Sequence, residues 1–152
     1  GEMSNFDPAA LTAALKNLSL AVDEEQSVLE SIHKSVKDQL LCALLSEENL
    51  LQTMEETAKL KQQEQIHQQI QKLATEIQFL RETLQTLPKN DDSENVYNSA
   101  AMQKEINRLT NIFSKFINFV KQRNQIAQEL NKVPNSQLID DPPASSSSCI
   151  LS

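Results

Sequence analysis

From Ala9 to Leu87 apolar and polar positions alternate at helical spacing, and these 79 residues contain neither glycine nor proline. Leu15, Leu18, Val22, Leu29, Ile32, Val36 and Leu40 recur mostly at three- and four-residue steps, which is one stripe along an amphipathic helix. Asp7 before Pro8 marks its start, because aspartate is a good N-cap and proline is preset for the first helical position. Two places offer a corner. Asp23-Glu24-Glu25-Gln26 resembles a capping box, and Ser46-Glu47-Glu48 supplies a second cap followed by acids suited to a helix start. A corner near 45–47 is expected, because it yields segments comparable in length with the third helix. The alternative is one rod over 8–87, about 120 Å long at roughly 1.5 Å per residue.

The clearest periodicity is Ile66, Ile70, Leu73, Ile77, Leu80, Leu84 and Leu87, with steps of 4, 3, 4, 3, 4 and 3. This a/d seam over three heptads is the repeat that packed, supercoiled helices require. "LPKNDDSENVYNS" (87–99) follows, a proline stop with polar turn formers, and it reads as the internal loop. Asn98 or Ser99 then caps a third helix that runs to Val133, before Pro134. Met102, Ile106, Leu109, Phe113, Phe116 and Val120 form its stripe, with Ile112, Phe119, Ile126 and Val133 beside it. A stripe this wide needs at least two neighbours. The expectation is an all-α, elongated helical bundle or coiled coil of three long helices, 8–44, 47–87 and 99–133. Residues 1–6 precede it, with Gly1-Glu2 ahead of Met3 reading as a cloning remnant rather than a myristoylation site, and 134–148 form a disordered tether.

Composition narrows the classes. The one glycine among 152 residues, at position 1, stands against a usual share of about 7%. Hairpins and phosphate-cradling loops depend on glycine at positive φ, which disfavours β-rich and nucleotide-binding α/β folds. A net charge of −7 argues against nucleic acid, whose phosphates demand a basic surface. No run of 18 apolar residues exists to span a bilayer, and no signal peptide is visible. Cys42 and Cys149 lie in different contexts, so a disulfide framework is not expected and a reducing compartment is favoured.

Candidates for chemistry are few. His33 and His67 sit among polar residues and read as solvated helix faces, with no metal-ligand set around them. Cys42, in "QLLCALL", reads as a small buried hydrophobe. Asp23-Glu24-Glu25 and Asp91-Asp92 read as caps and loop solvation, because a calcium loop needs alternating oxygen ligands and a central glycine. Phe113, Phe116 and Phe119 read as core. No constellation supports catalysis, and no metal or cofactor is expected.

The remaining feature is "SSSSCILS" (145–152), a serine run followed by Cys149-Ile150-Leu151-Ser152. These four residues fit the C-a-a-X box, with serine in the position that directs farnesyl transfer. The ending resembles the carboxyl termini of Ras-like GTPases and other farnesylated proteins, over those four residues alone. The resemblance implies Cys149 as lipid acceptor, with Ile150, Leu151 and Ser152 read by protein farnesyltransferase. A single prenyl chain binds membranes weakly, and neither a basic run nor a neighbouring cysteine adds a second signal. Oligomers presenting several lipids, or a prenyl-binding carrier, would supply the difference. The expected protein is a non-enzymatic coiled-coil adaptor or scaffold, cytoplasmic and peripheral to the cytosolic leaflet of intracellular membranes. Its assembly surface is the 66–87 seam with Leu109, Phe113, Phe116 and Val120, and its partners are proteins and possible further copies of itself, not nucleic acid. Alternative readings are a bacterial effector that borrows host prenylation, a SNARE-like or tethering protein, and a soluble coiled-coil subunit with an unmodified tail.

Overall fold

The computed structural model describes residues 7–86 and 99–134, and the secondary structure among them is entirely helical. Four helices replace the expected three: α1 (Pro8–Leu20), α2 (Gln26–Leu60), α3 (Glu64–Gln85) and α4 (Ser99–Lys132). The start of α1 follows the sequence, with Asp7 accepting a 3.1 Å hydrogen bond from the Ala9 N–H and Pro8 at the first helical position. Residues 45–47, expected as a corner, lie inside α2. Continuing the helix there keeps Leu44, Glu47 and Leu51 on the buried face. The continuous rod is excluded as well, because the chain turns at 21–25 and again at 61–63.

The first turn coincides with the acidic capping-box candidate, yet the N-cap residue is Glu25 and its side chain makes no capping bond. The second turn is a Schellman motif. The Gln63 N–H bonds to the Ala58 carbonyl at 2.9 Å and the Gln62 N–H to the Lys59 carbonyl at 3.0 Å. Its C′ position, where glycine is usual, holds Gln62 at φ 57°. This is a left-handed conformation that costs a side-chain-bearing residue about 1–2 kcal/mol.

Helix directions follow from cross-helix pairs. Glu48 of α2 meets Arg81 of α3, and Glu55 meets His67, so α2 and α3 are antiparallel. His33 and Glu47 of α2 and Lys61 at its C-cap meet, in that order, Glu105, Arg123 and Leu130 along α4, so these two long helices are parallel. α1 lies antiparallel to the first half of α2: Asp7 and Leu11 share a groove with Ala43 and Ser46, and Leu20 and Ala21 share one with Val28. α1 and α3 therefore follow one another along the edge of the α2–α4 pair, α1 beside residues 28–46 and α3 beside 48–60. Each packs against both long helices.

The core runs along this axis. Ile66, Ile70, Leu73, Ile77, Leu80 and Leu84 of the heptad seam are all buried, against neighbours in the same chain. On α4 the buried line is Met102, Ile106, Leu109, Ile112, Phe116, Phe119, Ile126 and Leu130, while Phe113, Val120 and Val133 are partly buried beside it. The Phe116 and Phe119 rings stack with centroids 6.0 Å apart. α4 contacts all three other helices, as its wide stripe requires.

Candidate functional site: a buried polar ladder

Three polar residues lie on the line of α2's apolar stripe, His33 and Glu47 within the helix and Lys61 at its C-cap, spaced 14 residues apart. At roughly 1.5 Å per residue they stand about 21 Å from one another along the interface with α4. Each finds partners there.

At the first rung, His33 Nε2 lies 2.8 Å from Glu105 Oε2, and both residues are buried. Arg108 completes the group, donating from Nε to Glu105 Oε1 at 2.8 Å and from Nη2 to Oε2 at 3.0 Å. Burial alone would raise the Glu105 carboxyl. The hydrogen bonds from His33 and Arg108, with the Arg108 charge, outweigh it and hold the group at about 2. A carboxylate only accepts, which assigns the Nε2 proton to the imidazole. Arg108 also donates through Nη1 to the carbonyl of Thr83, near the C-terminus of α3 where intrahelical partners run out.

At the second rung, Arg123 forks onto Glu47 with two parallel hydrogen bonds, and Glu47 is fully buried. At the third, Lys61 Nζ donates to the carbonyls of Leu130 and Val133, both at 2.9 Å. These carbonyls belong to the last turn of α4 and its exit, where a cation also complements the helix dipole. Burial lowers the Lys61 pKa from its ordinary value. On the outer side, Glu48–Arg81 at 3.0 Å and Glu55–His67 at 2.9 Å tie α2 to α3.

Chemically the ladder fixes register. Sliding α4 by one heptad along α2 would leave the Glu47 carboxylate and the Arg123 and Lys61 cations buried without these partners, at about 3–5 kcal/mol for the broken Glu47–Arg123 pair alone. Apolar side chains alone would tolerate such a slip far better.

Two expectations are corrected. His33 is a core residue held by a carboxylate, not part of a solvated face, and His67 is partly buried against Glu55. Cys42 is exposed, because it borders the α1–α2 groove instead of the core. Among the described residues no group of three or more His, Cys, Asp or Glu is gathered to hold a metal ion, and no helix is long and apolar enough to cross a membrane. Cys149, Ile150, Leu151 and Ser152 lie outside the described residues, as do Leu87, Asn98 and the segment after Pro134. Glu47, expected among the acids of a helix start, is instead a buried residue inside α2, and the sequence did not single out Lys61, Glu105 and Arg123, although a signal existed: each of the four interrupts an apolar stripe at a 3- or 4-residue step. Comparison with protein-family models, curated proteins and solved structures found no match for this chain.

Proposed function

We propose that the protein is a non-enzymatic helical adaptor of the coiled-coil type, brought to intracellular membranes by a farnesyl group on Cys149. The observation that carries this reading is the Cys149-Ile150-Leu151-Ser152 box behind a serine run, the sequence pattern on which a prenyltransferase acts. The reading applies to a chain whose carboxyl terminus is Ser152. Two features of the helices support the adaptor half. The buried polar side chains are taken up by one another or, for Lys61, by the carbonyls at the end of α4, and the described surfaces left to partners are Gln-, Lys- and Glu-rich helix faces with isolated apolar residues such as Leu45 and Phe79.

The test compares a tagged protein with its Cys149→Ser variant in eukaryotic cells, together with intact mass with and without a farnesyltransferase inhibitor. The native chain should gain a farnesyl adduct that the inhibitor removes, and should partition to membranes where the variant does not. Identical distributions and an unmodified mass would defeat it.

A further inference from the structure

The apolar stripe does not stop where the chain turns between α1 and α2. Leu11, Leu15, Leu18, Val22, Leu29, Val36, Leu40 and Ala43 follow one another at steps of 4, 3, 4, 7, 7, 4 and 3. That is the spacing of a single helix face running through the corner. The corner itself, Ala21-Val22-Asp23-Glu24-Glu25, holds neither glycine nor proline. The Ala21 N–H still bonds to the Asn17 and Leu18 carbonyls, and the Glu24 N–H bonds to Ala21 at 2.9 Å. Glu25 is extended, at φ −61° and ψ 153°. Its φ is already helical and its ψ is not, so rotation about this ψ is one of the changes that would carry α1 into α2, beside a return of Ala21 from φ −90° and ψ 4° to helical values.

What folds α1 back is thus the burial of Leu11, Leu15, Leu18 and Ala21 against α2 and α4, not the chemistry of the turn. That burial does not require α1 and its groove to belong to one chain. Because α1 is antiparallel to α2, two chains with straightened corners and a two-fold axis at the corner exchange α1 reciprocally. Each set of leucines then enters the groove of the other copy in the same orientation. The 61–63 corner offers no such freedom, since a Schellman motif closes it and Lys61 bonds it to the end of α4.

We propose that this chain forms a two-fold dimer by exchanging α1, the groove between the first halves of α2 and α4 being the surface and a second copy's α1 its occupant. Leu20 and Val28 are exposed on either side of the corner in the single chain, at 72% and 40%. The exchange stands independently of lipid attachment. It is the low-cost route to a dimer available when a short terminal element is joined by a hinge that tolerates both forms.

Ala10 and Cys42 line the same α1–α2 groove, so a thiol introduced by Ala10→Cys reports which chain supplies α1. The full-length chain carrying Ala10→Cys and Cys149→Ser is refolded at increasing concentration and treated with a short thiol-to-thiol cross-linker. Linked dimers joining the introduced thiol to Cys42 of the other chain should grow with concentration. Gln26→Pro fits the folded-back form, because proline suits the first helical position and Glu25 before it is already extended. In the straight helix the same proline removes a hydrogen bond and clashes, so dimer affinity should fall more than about a hundredfold with helix content retained. Asp23→Ala should raise the dimer fraction by favouring helix through the corner. Links within one chain only, up to the solubility limit, or dimers that persist undiminished in Gln26→Pro, would overturn the proposal.

Discussion

Arg123 of α4 places Nε 2.7 Å from Oε1 and Nη2 2.9 Å from Oε2 of Glu47, a residue of α2 with 0% exposure. A forked pair is the geometry in which a guanidinium returns most of the desolvation penalty of a buried carboxylate. The return is conditional on both partners.

Glu47→Leu or Arg123→Met alone should each destabilise the protein by about 3–5 kcal/mol, since either leaves an unpaired charge in the core. The double variant should recover most of that loss, ending within about 1 kcal/mol of the parent or above it. Urea unfolding followed by far-UV circular dichroism measures all four proteins. Additive losses in the double variant would show that the two residues contribute separately and that the pair is not the unit.

Glu105 makes the fold acid-sensitive in a defined window. Its carboxyl is held at about 2 in the folded chain against an ordinary 4.5. A group with a depressed folded pKa contributes its stability in full above the unfolded value and loses it as pH falls towards the folded one. Between pH 4.5 and 2 the contribution lost is of order 3 kcal/mol. The parent should therefore lose stability more steeply across this range than Glu105→Gln, whose curve should flatten. Parallel slopes would mean that other carboxylates carry the acid transition.

The stripes, the wide face of α4, the Asp7–Pro8 start and the burial of the 66–84 seam were legible because each rests on local periodicity or local capping. The corner at 61–63 was not. Its conformational signal is a positive φ, and the sequence places glutamine where glycine would have announced it. The ladder was hidden for a related reason. Lys61 and Glu47 have the composition of a solvated face, and only their place on the stripe distinguishes them, which becomes decisive once α4 supplies Arg123 and free carbonyls opposite. Cys42 was misjudged because "QLLCALL" is apolar as a string, whereas on the helix Leu40, Ala43 and Leu44 turn inward and Cys42 turns out.

The Cys42 thiol should accordingly react in the folded protein. In the Cys149→Ser background, a soluble disulfide reagent without denaturant should label it at a rate within about tenfold of that in urea. Labelling that requires unfolding would place the residue back in the core.

Gln62 offers a stabilising substitution. Its φ of 57° is imposed by the Schellman closure, in which Gln62 and Gln63 satisfy the carbonyls of Lys59 and Ala58. Glycine adopts that conformation without the side-chain clash, at the cost of a more flexible unfolded chain. The balance favours Gln62→Gly by about 0.5–1 kcal/mol, a few degrees in Tm. Gln62→Ala keeps the clash and should gain nothing, which separates relief of strain from loss of the glutamine side chain. A glycine at 62 also opposes any helix that runs straight from α2 into α3, so it should stabilise the chain without adding dimer. Thermal unfolding and light scattering on the same samples read both effects. A destabilised Gln62→Gly would mean that contacts of the glutamine side chain, and not the backbone turn, hold the corner in place.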